Sequence, residues 1–246
     1  MITCYDFLFA KIVEESSIDV ILVGDSVSMV VHGHPNTTHA TLNMMELHTS
    51  AVRRGAPTKF IVGDMPFGSF HQGKFNTFKN AATLIQAGAN AVKIENVNGF
   101  EKDIDHLVKS GIPVMGHLGL TPQSLNQLGG FKVQGKSHTS IIQLTEDAKK
   151  LQDLGAFSLV LECIPASVAY EISKSLSIPV IGIGAGQQTD GQVLVIQDLL
   201  GIDANEKRPR FVKRYADVHQ LSLKAINTFC QEVTNHQFPS EKESYL

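Results

Sequence analysis

Carboxylates close four short apolar runs of this chain. Asp25 follows Val20 to Val23, Asp64 follows Phe60 to Val62, Glu95 follows Ala91 to Ile94, and Glu162 follows Leu159 to Leu161. Ser26 adjoins the first acid, Lys93 lies two residues before Glu95, and His117 follows the run Val114 to Gly116. If these runs are neighbouring strands, four carboxylates, a lysine and a histidine face one mouth. Like charges at close range raise one another's pKa, so such a group calls for a cation. Asp25, Asp64 and Glu95 offer only hard oxygens, which suits magnesium, whereas zinc would want imidazole or thiolate. A single acid in such a place would more simply cap the next helix. Acids closing three successive runs favour the metal.

Glu162 ends the run FSLVL, where partial burial would raise its pKa toward that of a general base. A lone Glu at a strand end pairs with Lys or Arg about as readily, and that alternative stays open. Period-two geometry puts Lys93 and Glu95 on one face of a strand, from which Lys93 would neutralise a bound carboxylate. His32, His34 and His39 lack helical i, i+4 spacing and a nearby thiolate, so they read as solvated or substrate-loop histidines rather than a zinc site. GIGAG, at 182–186, would either cradle a phosphate or leave room for a bulky substrate.

The elements that must position these residues repeat along the chain. Eight apolar runs rich in β-branched residues read as strands: Ile2 to Tyr5, Val20 to Val23, Phe60 to Val62, Ala91 to Ile94, Val114 to Gly116, Leu159 to Leu161, Val180 to Ile183 and Val193 to Ile196. Near-continuous runs suit parallel strands covered on both faces. Segments of helical period lie between them, such as Leu42 to Arg54 behind the N-cap Thr41 and Phe75 to Ala87 before Gly88. The phrases RRGAP, QAGAN, KSGIP and DLGAF each place a glycine as a left-handed helix stop before the next strand. No Pro/Ser/Gly-rich linker interrupts the pattern, so it predicts one α/β domain over 1–246, a (β/α)8 TIM barrel. A doubly wound sheet would carry a glycine fingerprint after its first strand, where this chain has CYDF.

Composition narrows the partners. With 246 residues, 43% hydrophobic and 18% charged, the chain is globular rather than disordered. A net charge of -3 from 21 basic and 24 acidic residues, scattered without runs, gives nucleic acid no basic stripe. No stretch approaches the ~20 apolar residues that span a bilayer, and charges interrupt the opening MITCYDFLFAKIVEE where a signal peptide needs an apolar core. A soluble, cytoplasmic protein without membrane contact is expected. Cys4, Cys163 and Cys230 are too few and too separated for a disulfide framework or zinc knuckle, which predicts reduced, mostly buried thiols.

Longer strings carry a family likeness: LVGDS at 22–26, HTSAVRRGAP at 48–57, VKIE at 92–95, GHLGLTPQS at 116–124, LVLEC at 159–163 and PVIGIGAG at 179–186. From about Thr3 to near Pro239 the chain resembles the ketopantoate hydroxymethyltransferase (3-methyl-2-oxobutanoate hydroxymethyltransferase) family. The resemblance implies a barrel of the phosphoenolpyruvate mutase/isocitrate lyase superfamily type acting in pantothenate and coenzyme A biosynthesis. It further implies transfer of the one-carbon unit of 5,10-methylenetetrahydrofolate to 3-methyl-2-oxobutanoate through a magnesium-stabilised enolate, giving 2-dehydropantoate. Carried over residue by residue, Asp25, Asp64 and Glu95 fall on the Mg2+ positions, Asp25, Ser26, Asp64 and Lys93 on the ketoacid contacts, and Glu162 on the proton acceptor. A homo-oligomer, a decamer, is also implied, and the helix expected over Asp217 to Val233 has an apolar face that needs covering. Two departures stand out. The resemblance implies a leader helix ahead of the first strand, whereas the sequence opens almost directly on that strand at Met1-Ile2-Thr3, and SFHQGKF at 69–75 stands where relatives carry a more apolar loop. A related C–C lyase would show a cysteine motif in a mobile loop, which is absent, and an inactive scaffold would not keep every acid intact.

Overall fold

The computed structural model describes residues 1–204 and 208–245. The chain divides into two compact units, Met1–Val195 and Ile196–Leu246. In the first, eight parallel strands follow one another in sequence order within a single sheet. They are β1 Ile2–Thr3, β2 Val20–Val23, β3 Phe60–Asp64, β4 Ala91–Glu95, β5 Val114–Gly119, β6 Ser158–Glu162, β7 Val180–Ile183 and β8 Gly191–Gln192. A parallel bridge between Ile2 and Leu194 joins the two edges, with Thr3 N–H donating to Leu194 O at 3.1 Å. Closure of this kind leaves no free strand edge. The architecture is the α/β barrel that the alternation of apolar runs and helical segments predicts.

Eight helices belong to this unit: α1 Phe7–Glu15, α2 Val27–Val30, α3 Leu42–Gly55, α4 Lys74–Gln86, α5 Glu101–Lys109, α6 Leu125–Leu128, α7 His138–Asp153 and α8 Ala166–Ser175. Side-chain caps fix where they start. Asp6 Oδ1 accepts from Phe9 N at 2.9 Å, and Thr41 Oγ1 from Met44 N at 3.2 Å, each satisfying a first-turn N–H that has no helical partner. The spacing of buried positions is helical: Met45, Thr49 and Val52 on α3, Thr77, Ala81 and Leu84 on α4.

Four expectations change. Gly88, Gly111 and Gly155 do adopt positive φ after their helices, but Gly55 does not. It is the last residue of α3, where a Cβ would come within 2.4 Å of Phe7 O, so its role is to let α1 approach. The first strand stops at Thr3, because Asp6 already caps α1 and the intervening Cys4 and Tyr5 turn into the core. The eighth strand is Gly191–Gln192 rather than Val193 to Ile196. Val193 N–H still bonds Gly182 O, but Ile196 opens the next helix, whose Ile196, Leu199 and Leu200 follow a helical period. Finally, β5 runs on to Gly119, which places His117 inside the barrel strand rather than at its end.

Leu22, Val62, Ala91, Met115 and Val160 form one apolar layer inside the barrel. Side chains two residues further along a strand share its face. The next layer on the same face is therefore Asp64 on β3, Lys93 on β4, His117 on β5 and Glu162 on β6, with Glu95 two beyond Lys93.

The second unit contains α9 Ile196–Leu200 and α10 Val218–Thr234, with Asp217 capping Gln220 N at 3.2 Å. α10 has no buried residue, and Leu221, Ile226, Phe229 and Val233 are exposed. Among the described residues no helix is long and apolar enough to cross a membrane. The cysteines are unpaired, and Cys230 on α10 is exposed rather than buried, on a helix with no buried residue.

Candidate active site

The strand register assembles the site. Asp64 pairs with Lys93, Glu95 with His117, and Gly119 with Glu162 as Cα neighbours on adjacent strands. Lys93 Nζ lies 2.8 Å from Asp64 Oδ1, and both side chains are almost wholly buried. Asp25 joins from the turn after β2: its backbone N–H donates to Asp64 Oδ2 at 2.9 Å. Ser26, beside it, bonds the buried Tyr5 hydroxyl at 2.8 Å. Asp25, Asp64, Lys93, Glu95 and His117 are each buried, and Glu162 is half-buried at the rim.

Two features bring the carboxylates to the mouth. Asn96 and Cys163, the residues directly after Glu95 and Glu162, have φ of 64° and 48°. Left-handed backbone outside glycine is uncommon and costs energy, and here it turns the chain sharply away from the strand as soon as the acid is placed. Gly119 is the complementary case. At φ 96° it lets Glu162 O come so close that a Cβ would lie 2.2 Å from it, and only glycine permits β5 to press on β6 there.

His117 links the two ends of the cluster. Its Nε2 lies 3.2 Å from Glu162 Oε2, while Nδ1 lies 3.2 Å from Lys93 Nζ and 3.4 Å from Glu95 Oε1. Burial and Lys93 disfavour the imidazolium, but contacts with Glu162 and Glu95 outweigh them and raise its pKa to about 9. In that form both ring nitrogens donate. Were the ring neutral, Nδ1 would accept from Lys93 and the proton would sit on Nε2, so Nε2–H faces Glu162 in either state. Glu162 is partly buried at the end of FSLVL, as expected, and its ionic partner among the described residues is the neighbouring strand's histidine, because a strand-end acid facing the barrel axis meets that ring.

Gln123 was not singled out from sequence, although it lies within GHLGLTPQS. It is buried in the 3-10 turn Pro122–Ser124, and its Nε2 donates to Asp25 Oδ2 at 2.8 Å and Met65 O at 3.0 Å. Its backbone N–H donates to Glu95 Oε2 at 3.0 Å. No short pattern marks it, since it acts across 98 residues of sequence.

The electrostatics favour a cation. Four carboxylates face one ammonium and one imidazole. Burial, then the charges of Asp64 and Glu95, push the Asp25 carboxyl well above its usual range. Asp64 is raised too, by burial against the opposing pull of Lys93. Burial lowers the Lys93 ammonium's affinity for its proton, but Asp64, Glu95 and Asp25 more than restore it, so Lys93 stays charged. A hard divalent cation in place of a proton would relieve Asp25, and the oxygen donors suit magnesium. Among the described residues no three metal-ligating side chains already converge on one point. Magnesium commonly takes only one or two carboxylates and fills its other positions with water or substrate oxygens.

The other motifs lie elsewhere. His32 Nε2 pairs with His48 Nε2 at 2.9 Å, and His34 stacks on His39. In GIGAG, a Cβ on Gly186 would meet Ala166 Cβ at 2.4 Å, so the glycine accommodates the start of α8. Beside Glu95 and Gln123 opens a cavity of about 670 Å³.

A family model described as ketopantoate hydroxymethyltransferase matches residues 1–241. The chain belongs to the ketopantoate hydroxymethyltransferase family. Relatives named 3-methyl-2-oxobutanoate hydroxymethyltransferase include one from Bdellovibrio bacteriovorus, 54% identical over 100% of this chain and 93% of its own length. One from Francisella tularensis subsp. novicida is 50% identical over 100% and 92%, and one from Legionella pneumophila 50% identical over 100% and 94%. Membership makes this chain an enzyme, a transferase of the pantothenate biosynthesis family. Solved structures share the fold at much lower identity. A 2,3-dimethylmalate lyase of the PEP mutase/isocitrate lyase superfamily superposes with a TM-score of 0.63 at 14% identity, covering 99% of this chain and 85% of that one. A phosphonopyruvate hydrolase, solved with oxalate and Mg++, gives 0.63 at 11% identity, covering 98% and 87%.

Proposed function

We infer that the chain transfers the one-carbon unit of 5,10-methylenetetrahydrofolate to 3-methyl-2-oxobutanoate, forming 2-dehydropantoate and tetrahydrofolate. The observation that carries this reading is the pairing of Glu162 with His117 above a buried layer of acids and one lysine. Asp25, Asp64 and Glu95 would hold magnesium, and a phosphonopyruvate hydrolase of the same fold was solved with Mg++. When bound, the ion supplies Lewis-acid stabilisation for the charge that develops on the ketone oxygen.

The remaining work falls to side chains. Ser26 and Lys93 meet the ketoacid carboxylate, Ser26 by its hydroxyl and Lys93 by charge, which fixes carbon 3 relative to Glu162. Glu162 takes the proton from carbon 3, a contribution of roughly 10²–10⁴-fold for a positioned base. His117 Nε2–H holds the carboxylate in line for it. The donor's methylene is bonded to two folate nitrogens: water adds to it as the first C–N bond opens, and the second C–N bond breaks to release the carbon as formaldehyde, with one proton of the water on each nitrogen. The carbon-3 electron pair then bonds to that carbonyl carbon while its oxygen takes the proton held by Glu162 to become the hydroxyl. Assembly as a homo-oligomer, a decamer, belongs to the same reading, supported by the exposed apolar side chains of α10. Light scattering at micromolar concentration checks it, with a monomeric mass as the opposing result.

The function is tested by exchange of the ketoacid's carbon-3 hydrogen with deuterium in the presence of magnesium and without folate. Exchange that disappears with chelator, and turnover to 2-dehydropantoate once 5,10-methylenetetrahydrofolate is added, is the expected result. Exchange indifferent to chelator would remove the metal from the reading.

A further inference from the structure

Gln123 stands between two of the acids and occupies one oxygen of each. Its side-chain Nε2 donates to Asp25 Oδ2 at 2.8 Å, and its backbone N–H donates to Glu95 Oε2 at 3.0 Å. The orientation of the amide is fixed. Nε2 also donates to Met65 O at 3.0 Å, and a carbonyl can only accept, so the amide oxygen cannot take that place. The turn that carries Gln123 is itself tied down: Ser124 N–H donates to Thr121 O at 2.9 Å, and Asn96, directly after Glu95 in the chain, donates from Nδ2 to Ser124 Oγ at 3.2 Å. One oxygen per acid is left over. Asp25 Oδ1 accepts no hydrogen bond from a described residue, and Glu95 Oε1 has a long 3.4 Å contact to His117 Nδ1. Asp64 is engaged at both oxygens, by Lys93 and by the Asp25 N–H. Gln123 Oε1 is buried without a partner among the described residues, an acceptor that lacks a donor.

We propose, resting on the reading of Asp25 and Glu95 as cation ligands, that Gln123 is a positioning residue that holds each of them to one oxygen and thereby selects a small octahedral cation over calcium. Calcium takes more oxygens and gains from carboxylates that swing to bidentate ligation, whereas magnesium demands near-ideal octahedral geometry and keeps several waters. Neither acid can turn both oxygens to an ion without giving up its hydrogen bond to Gln123. Asp64, paired on both oxygens, adds no freedom of its own. Waters retained by the ion bring the donors that Gln123 Oε1 lacks, which favours the more hydrated ion again. Partners that orient metal ligands in this way are worth roughly 10–100-fold in metal affinity.

Calorimetric titration of the metal-free enzyme with magnesium and with calcium, with and without 3-methyl-2-oxobutanoate, gives the ratio of the two dissociation constants. Gln123→Met keeps the length of the side chain and the backbone N–H to Glu95 but removes the donor to Asp25 and the acceptor Oε1. It should lower the calcium-to-magnesium Kd ratio about 10-fold, chiefly by weakening magnesium. A merely structural role would weaken both ions alike, so an unchanged ratio overturns the proposal. The unmodified enzyme supplies a check that needs no variant and holds even if Gln123→Met fails to fold. In the infrared difference spectrum between magnesium-loaded and chelated protein, the carboxylate stretches should show the wide splitting of monodentate ligation, and the narrow splitting of bidentate ligation would overturn the proposal. If the unmodified enzyme binds neither ion under either condition, the reading of the acids as cation ligands falls and the role of Gln123 with it. Magnesium binding with a Kd ratio indifferent to Gln123→Met removes the role of Gln123 alone.

Discussion

Strands β3 to β6 run five, five, six and five residues and carry Asp64, Lys93, Glu95, His117 and Glu162 between them. On the other side of the barrel, β7, β8 and β1 run four, two and two residues and contain no ionisable side chain. The difference follows from what buried charge requires. Taking a carboxylate or ammonium out of water costs several kcal/mol unless partners are held at fixed distance. Long strands paired on both sides hold their side chains in register, so Lys93 meets Asp64 and His117 meets both Glu95 and Glu162. The short arc has only to complete closure, and two residues of ladder suffice.

The contrast can be broken most sharply at Glu162. Glu162→Gln keeps the shape and should slow carbon-3 deuterium exchange by roughly 10²–10⁴-fold while ketoacid binding with magnesium persists. Exchange at the parent rate with reduced overall turnover would move Glu162 to the folate half of the reaction. Next in size is Asp64→Ala, which leaves Lys93 buried without its nearest counter-charge. Urea unfolding of the chelated protein should show a loss of about 3–5 kcal/mol, the usual cost of breaking a buried pair, and calorimetry should show lost magnesium-dependent ketoacid binding. Adding Lys93→Met should recover part of the stability and none of the binding.

His117 gives a pH signature. Its pKa of about 9 in the folded chain lies above the 6.5 of a free imidazole, so the folded state holds the proton more tightly. The stabilisation is complete below about pH 6.5 and is lost as pH rises through about 9. In chelator, stability should fall by on the order of 2–3 kcal/mol over that window, and His117→Gln should remove the slope. The smallest effect belongs to the uncharged arc. Val180→Ala, in a fully buried position on β7, should cost about 2 kcal/mol by cavity formation yet leave deuterium exchange at the parent rate. A comparable fall in exchange would show that both arcs support the charged layer.

Sequence alone determined the layer's composition. Near-continuous apolar runs ending in acids are written in the chain, and their period of two puts Val62 beneath Asp64 and Ala91 beneath Lys93 whatever the neighbours are. The family likeness rests on strings, and so was also legible without a fold. Tertiary structure alone decided which groups meet. That Glu162 faces His117 depends on the β5–β6 register and on the close approach at Gly119, where the contact is with a residue 43 positions away. Gln123 reaches Asp25 across 98 residues of sequence, and the lining of the cavity beside Glu95 is gathered from segments that follow several different strands. The end of β8 was misplaced for the same reason: VLVI is apolar enough for strand or helix, and only the pairing of Val193 and Leu194, with Ile196 already turning into α9, settles where the sheet stops. Local patterns fix which face a side chain takes, while distances between faces are set by closure of the barrel, which no single segment encodes.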